Sequence, residues 1–488
     1  MHGVKLESFD AGHEMKRGLW WMGGATVAMR LLDVGGTLIV LQFLGLREMG
    51  LATLAWSISV ALEAFNGLGL NQVVVRERDL THRQLSGLFW FATLFGAAML
   101  ALAAVAAPFL AIFYADWRLY PLIIVGASKL VFVGAALVPL QLLTRDLHFK
   151  TSGAAQTAAT LGESVTKVAL VVAGFGAWGL VLANVSRGLF LCLALWWLAP
   201  FKPALTAEDA STRRAVRFGS KAATGSILYH VYRNLDFLLI GRVLGQRALG
   251  VYRVAFDLGM TPLEIVLNLV NRVQFPIYSR LRDDARALVE AFNRSARSLL
   301  LVLGPVAVLI CFASPDILAL IGGGKWLPAV PLIQILVWAS LLRGIAQLFP
   351  QLYSATGRPE LTVYDSVLTG TTLVLGFALA LWLAPAELGT LWVAWAWLLT
   401  YPIALWAHFR RVQPCAPVTP SGMAAALAGP VFAVMVLSLV LGLLSLLRPV
   451  MPFPLLMLAL LLAAGTATYL TYLRRVLAIS LRDLLPRR

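Results

Sequence analysis

Long apolar runs separated by short polar segments make up most of this 488-residue chain. Runs such as 86–113, 176–198 and 422–447 are each long enough to cross a hydrocarbon core of about 30 Å as a helix. The runs are continuous and lack the alternation of apolar and polar positions that transmembrane β-strands require. The pattern therefore predicts an all-α polytopic membrane protein of about 14 transmembrane helices.

The ends of each predicted span are defined to within about 2–4 residues. The predicted spans are 18–45, 48–70, 86–113, 118–143, 151–173, 176–198, 218–244, 249–275, 297–321, 327–355, 361–384, 388–409, 422–447 and 453–473. Lysine and arginine are concentrated at the N-terminus, in the even-numbered loops and in the C-terminal tail. The odd-numbered loops hold only Arg47, Arg118, Arg247, Lys325 and Arg448. This bias predicts that both termini are cytoplasmic.

Composition supports a membrane protein and excludes several other classes. Charged residues make up 13% of the chain, against about 25% in a typical soluble domain. The formal charge of +16 is explained by cytoplasmic loops, so no nucleic acid partner is expected. Cys192, Cys311 and Cys415 match no metal or redox spacing, and the chain contains no Walker loop. We expect no catalytic residue, no metal and no cofactor, so the chain is predicted not to be an enzyme.

An internal repeat predicts the domain organisation. The pattern R-x-L-D followed by L-G-x-R-x-x-G begins at Arg30 and again at Arg233. Each copy joins an odd-numbered helix to the next helix through a tight turn, and an offset of six helices preserves direction. The repeat therefore predicts two pseudo-symmetric six-helix lobes plus two extra helices, and two lobes with a site between them are typical of alternating access. The predicted domains are an N-terminal cytoplasmic segment (1–17), an N-lobe (18–198), a cytoplasmic linker (199–217), a C-lobe (218–411), the two extra helices (412–473) and a basic cytoplasmic tail (474–488).

Many charged residues fall inside the predicted spans, where an ionised side chain costs at least about 2.5–3.5 kcal/mol. Some of them have an opposite charge at helical spacing, which favours a structural salt bridge. Arg242, Arg272 and Asp365 lie near predicted helix ends and are expected to reach the membrane interface. The residues expected to form salt bridges within the lobes are Arg233, Asp236, Glu163 and Lys167.

Other cations lack such a partner. Lys129, Arg187 and Arg343 have no acidic residue three or four positions away. On the predicted span 249–275, a polar stripe within about 60° contains Arg253, Asp257, Glu264, Asn268 and Asn271. Unpaired cations in a membrane need an anion, and the planar guanidinium suits a phosphate or pyrophosphate. The predicted anion-binding residues are Arg30, Lys129, Arg253 and Arg343, and those predicted for ion coupling or gating are Asp33, Asp257 and Glu264.

Short motifs spread along the chain then indicate a family. They are 44–51 (LGLREMGL), 143–149 (LTRDLHF), 174–181 (GFGAWGLV), 236–245 (DFLLIGRVLG), 250–257 (GVYRVAFD), 275–281 (FPIYSRL), 324–326 (GKW) and 355–358 (ATGR). In their order and spacing the chain resembles the polysaccharide transporters of the multidrug/oligosaccharidyl-lipid/polysaccharide exporter superfamily. The resemblance is to the Wzx-type flippases, and within them to the exopolysaccharide exporters.

The resemblance implies a flippase for undecaprenyl-diphosphate-linked oligosaccharide in the bacterial inner membrane. The four predicted cations would bind the diphosphate in a cationic cavity, and a proton or sodium gradient is the expected driving force. The implied partners are the lipid bilayer, the lipid-linked oligosaccharide, and a polysaccharide polymerase with its export machinery. Two alternatives stay open: a lipid II flippase, and a scaffold within a polysaccharide assembly complex that transports nothing.

Overall fold

The computed structural model describes residues 35–66, 69–77, 80–205, 234–322, 324–358, 360–451 and 453–475. Within these ranges every regular element is a helix, which confirms the predicted fold class. The predicted roles of Arg30, Asp33 and Arg233 fall outside the described residues and stay predictions.

The described residues up to Asn234 form one compact unit. After a helical segment at 35–43, its helices are α1 (Leu46–Asn66), α2 (Leu70–Arg76), α3 (His82–Phe113), α4 (Leu119–Arg145), α5 (Phe149–Val172) and α6 (Ala177–Leu198). α3 packs along α4, α5 packs along α6, and α4 also contacts α1 and α6. α4 therefore lies at the centre of this unit.

The described residues from Leu235 onward form the second unit. Its helices are α7 (Leu235–Val243), α8 (Gly245–Gly259), α9 (Thr261–Leu281), α10 (Ala285–Gly322), α11 (Val330–Ala346), α12 (Leu348–Ala355), α13 (Glu360–Leu383), α14 (Gly389–Arg411), α15 (Pro420–Ser445) and α16 (Pro454–Arg475). Short 3₁₀ turns at Leu327–Ala329 and Ala386–Leu388 precede α11 and α14. The predicted linker, 199–217, lies mostly outside the described ranges, so the predicted domain boundaries stay predictions.

Among the described residues, nine helical stretches are long and apolar enough to cross a membrane. They are His82–Phe113, Leu119–Arg145, Ala177–Leu198, Ala285–Gly322, Leu327–Ala355, Glu360–Leu383, Gly389–Arg411, Pro420–Ser445 and Pro454–Arg474. Each one overlaps a span predicted from the hydrophobic pattern. The chain is thus a multi-pass membrane protein, while the count of 14 and the sides of the termini stay predictions.

The predicted span 249–275 is wrong as a single helix. The structure divides it into α8 and α9, with Met260 between them and Pro262 in the first turn of α9. Proline has no amide N–H and its ring clashes with the preceding turn. α8 therefore ends before Pro262, and the proline lies in the first turn of a new helix, α9. The predicted polar stripe is therefore split, with Arg253 and Asp257 on α8 and Glu264 on α9.

The two copies of the repeat fold alike where they are described. The helical segment 35–43 turns at 44–45 into α1, and α7 turns at Leu244 into α8. The second turn needs a glycine, because Gly245 adopts a φ of 83°, a left-handed conformation that a side chain disfavours. The sequence repeat thus corresponds to a repeated helix–turn–helix unit.

Small residues bring α3 and α4 into backbone contact. A Cβ atom on Gly96 would lie 2.4 Å from the carbonyl oxygen of Leu130, and one on Gly134 would lie 2.4 Å from the carbonyl oxygen of Ala92. Lipid provides no hydrophobic driving force for helix association. Close packing of this kind therefore contributes much of the free energy that holds the two helices together.

Candidate functional site

In the second unit, Arg343 and Glu264 form a buried ion pair. A guanidinium nitrogen of Arg343 lies 2.8 Å from the Glu264 carboxylate, and the two side chains are only 6% and 17% exposed. Glu264 is in the first turn of α9, and Arg343 is in the last turn of α11. The acidic group thus lies at a helix N-terminus and the basic group at a helix C-terminus, where the helix dipole stabilises each of them. The break at Met260 positions Glu264 for this contact.

Arg253 lies on the preceding helix and has its own counter-ion. Its Nε donates to Asp257 one turn further along α8, over 2.8 Å. The guanidinium also lies 5.3 Å from the ring centre of Phe237 on α7, within the range of a cation–π contact. The side chain of Arg253 is 18% exposed and that of Asp257 is 27% exposed, so both are accessible to a small anion or cation.

A fully buried carboxylate contacts residues that lie next to these cations. Asp236 on α7 accepts hydrogen bonds from the hydroxyl of Tyr252 at 2.8 Å and from the indole N–H of Trp397 at 3.3 Å. The ring of Trp397 lies 5.8 Å from the Arg343 guanidinium. Residues of α7, α8, α9, α11 and α14 thus form one connected polar cluster, which we call the second-unit cluster: Asp236, Tyr252, Arg253, Asp257, Glu264, Arg343 and Trp397.

The first unit contains a separate cation. Lys129 on α4 extends its ammonium to the Glu63 carboxylate of α1, 2.9 Å away. Its aliphatic stem lies against Gly188 of α6, where an added Cβ atom would be 3.2 Å from the Lys129 Cγ. Three helices therefore contribute to the surroundings of this side chain. Glu63 is 32% exposed, so the pair is open on one side.

Two charged residues of α5 contact partners on neighbouring helices. Glu163 accepts from Arg187 of α6 at 3.3 Å. Lys167 donates to Thr37 of the helical segment 35–43 at 3.4 Å. Both side chains thus link helices within the first unit.

Sequence reasoning missed the counter-ions of three cations. Lys129, Arg187 and Arg343 each pair with a carboxylate on a different helix, and a search at i±3 and i±4 finds only partners within one helix. The expectation that these cations lack a protein partner is therefore wrong. The structure brings Arg253, Asp257, Glu264 and Arg343 together with Asp236 in one cluster, and it places Lys129 in the other unit.

A network at one end of the first unit was also missed. Glu48 on α1 pairs with Arg118 at 2.8 Å and accepts the backbone N–H of Ala177, which begins α6. Arg118 and Arg47 both reach the Asp116 carboxylate. The hydrogen bond with Asp116 raises the pKa of Arg118 above its ordinary value. Glu48 and Asp116 thus join the start of α1, the α3–α4 loop and the start of α6.

Asp365 does not reach the interface as predicted. Its carboxylate is largely buried and lies 3.1 Å from the imidazole of His408. A buried carboxylate needs a partner, and the partner comes from α14, some forty residues along the chain. Among the described residues no group of three or more His, Cys, Asp or Glu side chains is placed to hold a metal ion.

Comparison with known proteins identifies the family. A family model described as "Polysaccharide biosynthesis protein" matches residues 39–331. The teichuronic acid biosynthesis protein TuaB of Bacillus subtilis (strain 168) is 25% identical over 82% of this chain and 86% of its own length. The lipopolysaccharide biosynthesis protein WzxC of Escherichia coli (strain K12) is 22% identical over 74% of this chain and 75% of its own.

Solved structures share the fold at low sequence identity. The lipid II flippase MurJ, in an inward closed conformation, matches with a TM-score of 0.69, 11% identity and coverage of 94% of this chain and 99% of its own. An inward-facing MATE multidrug transporter of the MOP superfamily matches with a TM-score of 0.62, 13% identity and coverage of 79% and 95%. The family match confirms the resemblance to polysaccharide biosynthesis proteins that the sequence motifs indicated, and the solved structures confirm the fold.

Proposed function

We propose that this chain, which belongs to the polysaccharide biosynthesis protein family, is a flippase for undecaprenyl-diphosphate-linked oligosaccharide repeat units. It moves them from the cytoplasmic to the periplasmic leaflet of the bacterial inner membrane, for exopolysaccharide or lipopolysaccharide synthesis. The family, the transporter fold and the names of the relatives support a transport role and not a catalytic one. The observation that carries the proposal is the Arg343–Glu264 pair, a buried cation with an exchangeable counter-ion.

The chemistry of the substrate matches these pairs. A lipid diphosphate must lose water when it enters the membrane, so its charge needs compensation there. The forked guanidinium groups of Arg253 and Arg343 can each donate two parallel hydrogen bonds to phosphate oxygens. Lys129 stays a ligand predicted from the sequence alone. Arg30 is a fourth predicted ligand.

The carboxylates are the counter-ions of these cations in the structure. Glu264, Asp257 and Glu63 lie 2.8 to 2.9 Å from their cations, and an unpaired charge in the membrane is costly. The diphosphate takes the place of Asp257 and Glu264 beside the two guanidinium groups when it binds. The sugars lie in water, the prenyl chain stays in lipid, and alternating access of the lobes carries the diphosphate across.

A lipid II flippase is the second candidate, because the matched flippase structure is one. Both substrates carry the same prenyl diphosphate, so the cation pairs do not separate them. The curated relatives favour a polysaccharide precursor, since their names refer to teichuronic acid, lipopolysaccharide, amylovoran and succinoglycan. The two substrates differ in the saccharide and in the peptide that lipid II carries.

Depletion of the protein in its own host tests the proposal. We expect undecaprenyl-diphosphate oligosaccharide to accumulate on the cytoplasmic leaflet while surface polysaccharide is lost and peptidoglycan synthesis continues. Continued polysaccharide export together with arrested peptidoglycan synthesis supports the lipid II reading. If both lipids keep their normal distribution between the leaflets, both flippase hypotheses are contradicted. The remaining hypothesis is then a scaffold within a polysaccharide assembly complex that transports nothing.

A further inference from the structure

A buried Tyr–His–Asp cluster lies in the second unit, outside the second-unit cluster. The imidazole of His408 on α14 has its Nε2 3.1 Å from the Asp365 carboxylate of α13 and its Nδ1 3.1 Å from the Tyr353 hydroxyl of α12. His408 is 2% exposed and Tyr353 is fully buried. Three helices therefore meet at a pair of titratable groups that the proposed transport site does not use.

The surroundings of this cluster are apolar. The ring of His408 stacks on Phe349 with centroids 4.5 Å apart and an interplanar angle of 12°. Phe292 of α10 packs edge-on against Phe349, and Val412 of the following turn is fully buried. In such surroundings a net charge on the pair is costly to bury. The number of protons that the pair holds therefore determines the free energy of burying it.

The charge of the pair changes with one proton. An ionised Asp365 beside a neutral imidazole has one net negative charge, and uptake of a proton by either group removes it. Tyr353 hydrogen-bonds to Nδ1, which keeps Nε2 directed at Asp365 in both forms. When the cluster is shielded from water the form without net charge is favoured, and access to water favours release of the proton.

Other charged or titratable side chains among the described residues lie near the cluster. Arg411, one turn after His408, lies 3.9 Å from the ring centre of Tyr364 next to Asp365 and acts electrostatically on both members. Cys415, in the segment after α14, faces Tyr353. Of the helices packed on α12, α10 contributes the ring of Phe292 against Phe349, and Tyr278 of α9 packs behind it on Phe292.

A single helix links this pair to the second-unit cluster. Trp397, which contacts Asp236 and Arg343, lies on α14 eleven residues before His408, about 16 Å along the helix. Pro402 lies between them inside α14, and a proline within a helix is a site of bending. A change in packing at His408 can therefore alter the angle at which Trp397 meets Arg343. α11, which also packs on α14, carries Arg343 at the Trp397 end.

We propose that the His408–Asp365 pair, oriented by Tyr353, is a proton-binding site and that its proton is the coupling ion of transport. The coupling part rests on the proposed flippase function. A proton fits better than sodium, because sodium prefers oxygen ligands and the imidazole supplies nitrogen. The coupling roles predicted for Asp33, Asp257 and Glu264 stay predictions beside this site.

Infrared difference spectroscopy of the full chain in lipid nanodiscs tests the site without any substrate. We expect a pH step between about 5 and 8 to change one buried imidazole or carboxyl band. His408→Gln and the isosteric Asp365→Asn should each abolish this change, whereas the exposed control His148→Gln should retain it. A spectrum of His408→Gln identical to that of the wild type overturns the proton site.

Proteoliposomes with an imposed pH gradient test the coupling. One proton per cycle should shift the steady-state leaflet ratio of the lipid-linked oligosaccharide by about tenfold per pH unit. His408→Gln and Asp365→Asn should lose this dependence, and His148→Gln should keep it. Wild-type translocation that ignores the gradient overturns the coupling. No wild-type translocation at all, with the infrared change intact, contradicts the flippase function and leaves the proton site standing.

Discussion

The guanidinium of Arg343 lies 2.8 Å from the carboxylate of Glu264, and the pair joins α11 to the first turn of α9, which begins directly after Met260. The contact exists because Pro262 interrupts the helix and places Glu264 at a new N-terminus. Discontinuous helices with buried charges are typical of substrate sites in transporters. The same interruption therefore accounts for both the fold and the proposed chemistry of this region.

Arg343 and Glu264 should be energetically coupled. Removing one partner of a buried pair leaves an uncompensated charge and costs roughly 3–5 kcal/mol. We expect Arg343→Gln and Glu264→Gln to lower the thermal unfolding midpoint in detergent, and the double variant to lower it by less than the two single effects combined. Additive effects would show that the two side chains do not depend on each other.

Loss of Arg253 should impair transport more than folding. A hydrogen bond to a charged group is worth roughly 1.5–3 kcal/mol, so Arg253→Gln should slow translocation by about tenfold or more. Arg282→Gln is the matched control, because this side chain is 63% exposed and lies at the end of α9. Both variants should insert to the wild-type level, measured by quantitative immunoblotting of membranes. An Arg253→Gln variant with full activity removes this residue from the binding site.

The glycine contact between α3 and α4 should not tolerate a methyl group. Gly134→Ala would place its Cβ 2.4 Å from a backbone carbonyl oxygen, so the helices must separate, at a cost of about 1–3 kcal/mol. We expect a lower unfolding midpoint for this variant. Gly153→Ala on α5 is the control, since its Cβ would meet nothing within 4 Å and alanine favours a helix. Equal midpoints for the two variants would contradict the close packing.

The Glu48 network should stabilise one end of the first unit. Glu48→Ala removes a partner of Arg118 and the acceptor of the Ala177 N–H, which together should cost about 1–2 kcal/mol. We expect faster hydrogen exchange at the start of α6, measured by mass spectrometry. The control Glu290→Ala removes one end of an exposed pair with Arg294 and should leave exchange there unchanged. Equal protection of α6 in both variants would show that Glu48 does not hold this end.

Much of the fold was predictable, because a transmembrane helix can be identified from the length of an apolar run in the sequence without knowledge of its neighbours. The runs around α3, α15 and α16 are apolar on every side, and length alone identifies them as spans. The second copy of the repeat could be recognised in the sequence partly because its turn requires a glycine, Gly245, at a position with positive φ. The break at Met260 was missed because the span was assigned by its length, although Gly259 and Pro262 on either side of Met260 signal a break.

The candidate site was less predictable. Residue types showed that Arg253 and Arg343 are unusual in a membrane, but their partners depend on which helices meet. The pairing of Lys129 with Glu63 joins residues far apart in the sequence, and only packing brings them together. The His408–Asp365 pair was missed for the same reason, since neither residue has an opposite charge within one helical turn.

Translocation by the purified protein is the most direct measurement. The full chain is reconstituted into proteoliposomes whose outer leaflet alone contains undecaprenyl-diphosphate oligosaccharide, and a membrane-impermeant glycosidase reports the sugar that stays outside. We expect a protected fraction to appear at a rate that rises with the number of proteins per vesicle and falls in Arg343→Gln. Protection no faster than in protein-free vesicles, with correctly folded protein present, would contradict the flippase function.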